Sequence, residues 1–296
     1  MQGPAALLSV EMATPCHSRR SSMVCNGMTM PMPPTTVADA LASLAAHESR
    51  RAIRALSETS DRHKGVHEAR KSIRRLKSLL ALGEEPFGKT LEPIWAELSS
   101  LATGLSSLRD AHVAATIARG VAGERPSPPW KRAIGLLEAR RDAKLDDALR
   151  KDPAFRRRRQ RLADVGAQIQ SLAWSKLERH DVEKALARSE RRVSKAEARA
   201  ADRGTDIDHH RWRRRARRLR MQLEFWRKAL KAVEASSHHR GHHGKTAVKK
   251  MSELSDALGA RRDLRSLRRV LRTLDGMGPL APLLDDIRQA LKAQSA

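Results

Sequence analysis

Residues 66–77 read Val66-His67-Glu68-Ala69-Arg70-Lys71-Ser72-Ile73-Arg74-Arg75-Leu76-Lys77, and residues 209–220 read His209-His210-Arg211-Trp212-Arg213-Arg214-Arg215-Ala216-Arg217-Arg218-Leu219-Arg220. Both carry one string, His-x-x-basic-basic-x-x-basic-basic-Leu-basic, and the second copy starts 143 positions after the first. Wound at ~100° per residue, His67, Arg70, Lys71, Arg74 and Lys77 fall on one side, flanked by Arg75, while Val66, Ala69, Ile73, Leu76 and Leu80 gather on the other. In the second copy Ala216, Leu219, Leu223 and Trp212 take the apolar side, and the seven arginines between Arg211 and Arg220 crowd most of the remainder. The spacing therefore predicts two amphipathic helices with matched cationic faces. So dense a set of cations needs a polyanion.

The whole chain points the same way. Its 296 residues carry a formal charge of +25, an excess that speaks about partners and solubility rather than about fold. Aromatic residues make up only 3%, with no Tyr, whereas readers of single-stranded nucleic acid stack bases on aromatic platforms between their basic residues. Ala, Leu, Arg, Lys and Glu dominate and β-branched runs are missing, so the fold is predicted to be all-α. Both cysteines, Cys16 and Cys25, lie near the start, so the body needs no disulfide and tolerates a reducing cytoplasm, and no Cys-x-x-Cys pair suggests zinc. No apolar run approaches the roughly 18 residues of a membrane span, and the first ten residues lack a basic leader region. A cytoplasmic protein with no membrane partner is expected.

Residues 1–34, rich in Met, Ser, Thr and Pro without sustained period, are predicted to be a disordered tail. Thr36 and Asp39 resemble a capping box opening a helix to about Ser57. The first basic helix is expected from about Lys64 to Leu82 with a C-cap at Gly83, followed by helices from about Lys89 to Leu105 and on to Arg119. Gly120 to Pro129 reads as a loop, and two more helices follow, split at Asp152 and Pro153. The second half repeats the plan: a charged helix from about Val182 to Ala201, a break at Gly204, the second basic helix from about Asp208 to Ala232, and a helix around Ala247 to Leu258. Leu258-Gly259-Ala260-Arg261-Arg262-Asp263 echoes Leu105-Ser106-Ser107-Leu108-Arg109-Asp110 at an offset of 153, so ten residues have entered, most naturally in the loop from Ser236 to Lys245. The duplication predicts two helical bundles side by side, about 37–173 and about 178–293.

In these features the chain resembles the CHAD family, the conserved histidine α-helical domain, over about residues 37–293. The family's helix motif is matched by Val66, His67, Arg70, Arg74, Arg75, Leu76 and Lys77 and again by His210, Arg213, Arg217, Arg218, Leu219 and Arg220. Its Leu-Gly-x-x-Arg-Asp string, which opens a later helix, is matched by Arg109 and Asp110 and by Leu258, Gly259, Arg262 and Asp263. Departures are Lys77 for Arg, Ser106 for Gly, and His209 where an apolar residue is preferred. The resemblance implies two tandem pseudo-symmetric four-helix bundles enclosing a basic central cavity, binding of inorganic polyphosphate, and association with polyphosphate granules. Some relatives fuse this module to a triphosphatase tunnel domain carrying Glu-x-Glu-x-Lys. That string is absent, so the likeness is to the standalone module.

Polyphosphate offers closely spaced negative charge and no bases, so affinity must come from neutralising phosphates and releasing counterions. Arginine holds two phosphate oxygens in its planar fork, and lysine supplies a mobile point charge. The expected ligands are His67, Arg70, Lys71, Arg74, Arg75, Lys77 and Arg109 from the first copy, with His210, Arg213, Arg214, Arg217, Arg218, Arg220 and Arg262 from the second. A solvated charged face is the competing reading of the stripes, and a backbone-anchored helix-start imidazole that of His67 and His210. Asp110 and Asp263 read equally well as positioners of cations or as ordinary ion-pair partners. His238, His239, His242 and His243 have metal-binding composition, but Gly241 and Gly244 favour a loop. Arg156 to Arg159 are either a capturing rim or solvent-facing. No Walker string, carboxylate cluster or nucleophile motif is present, so neither catalysis nor a cofactor or metal is expected. The alternative is a basic helical protein that binds nucleic acid non-specifically at low salt.

Overall fold

The computed structural model describes residues 36–234, 245–276 and 278–293, and among them there is helix and no strand. The helices are α1 (Val37–Ser57), α2 (Arg62–Leu80), α3 (Glu84–Phe87), α4 (Leu91–Gly104), α5 (Ser106–Ala122), α6 (Pro128–Lys151), α7 (Arg156–Gln170), α8 (Arg179–Arg203), α9 (Asp206–Glu234), α10 (Lys245–Leu271) and α11 (Ala281–Ala293). The expected tail of residues 1–34 and the histidines between His238 and His243 lie outside the described residues. No described helix is long and apolar enough to cross a membrane.

The helix ends follow local chemistry. Thr36 caps α1 reciprocally: its hydroxyl accepts from the Asp39 amide at 3.1 Å, and the Asp39 carboxylate accepts from the Thr36 amide at 3.2 Å. The Asp61 carboxylate accepts from the Lys64 amide at 2.9 Å to start α2. Between them the chain reverses tightly, and Gly65 makes the return possible, since a Cβ there would sit 2.3 Å from the Ala55 carbonyl oxygen. Gly83 does not close α2. The chain runs through a 3-10 turn at Ala81–Gly83 straight into α3, and the left-handed glycine is Gly88, at φ +53°. Gly204, at φ +62°, ends α8 as its position suggested.

Two apolar cores form, and they divide by layer rather than by sequence repeat. The larger one joins α1, α2, α4 and α7 to α8 and α9 through residues such as Leu41, Ile73, Leu98, Ile169, Val182 and Phe225. The smaller joins α5 and α6 to α10 and α11 through Ala115, Trp130, Leu137, Leu267, Leu283 and Ile287, and the Trp130 indole donates to Asp286 at 2.7 Å. Each fully buried leucine or isoleucine contributes about 1.5–3 kcal/mol relative to exposure. Because both cores draw on both halves, neither half is complete alone. Their boundary falls where α2, α5, α9 and α10 meet: α2 packs on α5 and α9, and α10 packs on both of those.

Candidate basic cavity

The two basic helices face each other. Ser78 of α2 donates to the Met221 sulfur of α9 at 3.5 Å, and Arg75 Nη1 of α2 meets Glu224 Oε2 of α9 at 2.6 Å. One turn towards the helix starts, Arg74 and Arg217 come together. Burial depresses the Arg74 guanidinium to about 10, and repulsion from Arg109, Arg70, Arg213 and Arg220 adds to it. Arg217 falls further, to about 9, through burial and then through Arg213, Arg74, Arg109 and Arg220. Both stay cationic at neutral pH, so these shifts reflect burial and then crowding of like charge rather than neutralisation. Neither arginine has an ion pair among the described residues, and Arg74 Nε is buried without a hydrogen-bond partner.

Around this centre stand cations from four helices. Arg70 of α2 donates to the Ala102 carbonyl, and burial with repulsion from Arg109 and Arg262 lowers its pKa. Arg109 of α5 is held by Asp110 at 3.0 Å. Arg213 of α9 is lowered by burial, with Asp263 and Asp256 opposing and Arg262 and Arg109 assisting. Its approach to α10 depends on Gly259, where a Cβ would lie 3.0 Å from Arg213 Nη2. Gly259 sits inside the continuous helix α10 and does not open one as its motif predicted. Its missing side chain serves Arg213 instead of a turn. Arg220 lies 3.8 Å from Glu224 and donates to Ser252 at 3.1 Å.

A cavity of about 310 Å³ opens between α9 and α10, lined by Arg213, Arg262, His210, Arg261, Arg265 and Arg269 among others. His67 and His210 flank the centre, each depressed first by burial. For His67 the Glu68 carboxylate opposes and Arg74, Lys71 and Arg109 reinforce, whereas for His210 the leading charges, Arg262, Arg214, Arg213 and Arg217, all reinforce.

The structure separates the remaining expected ligands. Arg75, 7% exposed, is clamped between Glu48 at 2.6 Å and Glu224 at 2.6 Å and lies over the Phe225 ring at 4.5 Å. Burial alone would lower its pKa, but hydrogen bonds to Glu224 and Glu48 leave it raised. It therefore ties α1, α2 and α9 together. Lys71 turns to Glu68 at 3.5 Å, which also holds Arg51 at 2.6 Å. Lys77, Arg214 and Arg218 form a separate group: the Lys77 ammonium donates to Ser99 at 2.5 Å, and burial followed by repulsion from Arg218 and Arg214 lowers its pKa. Of the run Arg156 to Arg159, Asp152 accepts from the amides of Arg157 and Arg158 at 2.9 and 3.3 Å and from the Arg158 guanidinium at 2.8 Å. Arg159 donates to Ser57 at 3.1 Å. Much of that run is spent on starting α7.

Other basic residues around the expected set escape a reading of the two stripes alone. Arg265 lines the cavity one turn after Arg262, a spacing that a helical continuation of the motif would have suggested. Arg192 of α8, which no motif marks, lines a separate concavity against α9. His63, one turn before His67, stacks on His112 at 5.5 Å and meets Asp142 at 3.0 Å. Among the described residues no group of three or more His, Cys, Asp or Glu side chains is placed to hold a metal.

Comparison with known proteins agrees with this architecture. No curated protein matches the chain. Among solved structures, the crystal structure of the CHAD domain from the plant Ricinus communis superposes with a TM-score of 0.63 at 21% identity, covering 88% of this chain and 87% of that one. That likeness concerns the fold. The CHAD domain family itself matches residues 35–272, most of the described molecule and both copies of the basic string, and the chain belongs to the CHAD domain family.

Proposed function

We propose that this protein is a non-catalytic module that binds inorganic polyphosphate in the basic cavity, and that this binding directs it to polyphosphate granules in the cytoplasm. The observation that carries the reading is the convergence of Arg74 with Arg217, Arg213 and Arg109 from different helices, with no ion-pair partner for the central two among the described residues. Half-buried cations forced together at a cost to the free protein are favourable once a dense anion arrives, because each phosphate relieves several repulsions at once. Membership in a family associated with polyphosphate binding supports the same ligand class. The Asp110 contact with Arg109 fits a positioning role for that carboxylate.

The test is competition. Long-chain polyphosphate is expected to displace duplex DNA from the protein at moderate salt, and displacement in the opposite sense would establish the nucleic-acid reading instead. Changing Arg74, Arg217 and Arg262 together to Gln should remove most polyphosphate affinity. It should also flatten its dependence on salt by roughly 2 in the log–log slope, at ~0.7 per lost phosphate contact on a flexible strand. Arg75 is left out of that set because it is committed to carboxylates. Release of phosphate from polyphosphate during the incubation would refute the non-catalytic part.

A further inference from the structure

A second basic concavity lies between α8 and α9, beside the cavity shared with α10. It measures about 450 Å³ against about 310 Å³ for the first. Its walls are Ser189 and Arg192 of α8 and Arg211, Arg214, Arg215 and Arg218 of α9, and no carboxylate among the described residues lines it. The nearest acids act from its margin: Asp208 pairs with Arg211 at 3.3 Å, and Glu84 acts on Arg218. Arg215 is anchored to the Arg192 carbonyl at 3.0 Å, so the α8 and α9 cations hold a fixed separation.

Two residues line both concavities: His210 and Ile207, the latter 71% exposed at the first turn of α9. The two basins therefore adjoin around the start of one helix. At the other end Arg218 and Arg214, which line the outer basin, also act on Lys77 of α2. This explains why α9 carries arginines around so much of its circumference, which a single cavity on one face does not require.

We propose that the α8–α9 trough is a second anion subsite that takes the length of a polyphosphate chain emerging from the central cavity past His210 and Ile207. The protein thereby favours long chains over short ones. This rests on the polyphosphate reading and adds a route and a length selectivity to it. A short oligophosphate fills the central cavity and gains nothing outside. A long chain, once held there, meets the trough at high effective concentration, so the second set of contacts multiplies the first.

The experiment measures affinities of the full chain for tripolyphosphate and for long-chain sodium polyphosphate at one salt concentration. Variant one is Arg192→Gln, Arg211→Gln and Arg215→Gln together, all outside the central cluster. The charge-matched control is Arg191→Gln, Lys195→Gln and Arg203→Gln, exposed positions that line neither basin. Variant one is expected to lose about tenfold in long-chain affinity while binding tripolyphosphate within about twofold of wild type, and the control to keep both. Retained tripolyphosphate binding reports an intact fold. Equal loss of both ligands, or a long-chain loss no larger than the control's, overturns the trough while leaving the central site standing. Failure of the wild-type protein to bind either polymer removes the parent reading and the trough together.

Discussion

His67 and His210 couple the site to protons. Burial and neighbouring cations hold both imidazoles below their ordinary value, so they are neutral at neutral pH in the free protein. Phosphate beside them favours the charged form, so the bound-state pKa rises and binding takes up protons in between. Affinity for polyphosphate is therefore expected to increase several-fold between about pH 8 and about pH 6, and changing both residues to Asn should flatten the profile. Calorimetry in two buffers of different ionisation heat detects the uptake directly. Stability moves the other way. A depressed folded-state pKa means that the unfolded chain accepts the proton first, so the contribution present above ~6.5 is lost as pH falls through the depressed value. A profile in which acid strengthens folding and weakens binding would contradict both signs.

Arg75 shows how a pair of elements uses a cation that resembles a ligand. Glu48 of α1 and Glu224 of α9 grip it from two sides, and Glu48 is only 3% exposed. Replacing Arg75 with Met strands two carboxylates between three helices. The expected loss is about 3–5 kcal/mol in denaturant unfolding, most of it recovered when Glu48→Gln and Glu224→Gln are added. At temperatures where the variant is folded, its affinity for polyphosphate should stay near that of the wild-type protein, because the guanidinium does not face the cavity. A large affinity loss with little change in stability would return Arg75 to the ligand set.

At the scale of the molecule, part of the net charge of +25 is gathered where packing brings α2, α5, α9 and α10 together. The depressed values at Arg74 and Arg217, about 10 and about 9, mean that folding works against burial of these charges and then against their mutual repulsion throughout the neutral range, and the opposition begins to fade only above those values. Removing the two charges as Arg74→Gln and Arg217→Gln should raise the Tm by roughly 2–4 °C, the shift expected of about 1 kcal/mol in a domain of this size, while binding weakens. Added salt should raise the Tm of the wild-type protein more than that of the variant, since screening relieves the same repulsion. A variant less stable than wild type at low salt would show that the two arginines hold the fold together.

Much of this was legible in the linear chain. The capping box at Thr36 and Asp39, the break at Gly204 and the apolar stripe of Ile73 and Leu76 are local, since each depends on residues within a few positions. The doubled string identified two equivalent cationic helices because an axial period needs no partner to be read. Tertiary structure alone sorted the cations. Arg74 and Arg75 are neighbours in sequence, yet one adds to the like-charge cluster around Arg217 and the other is claimed by Glu48 and Glu224, 27 and 149 positions away. It also made the second arginine trough by laying Arg192 against α9, and built each apolar core from both halves of the duplication. A helical period determines which face of its own helix a residue occupies. Which face of another helix lies opposite depends on how buried surface is divided among all of them, and that is settled only when the chain packs.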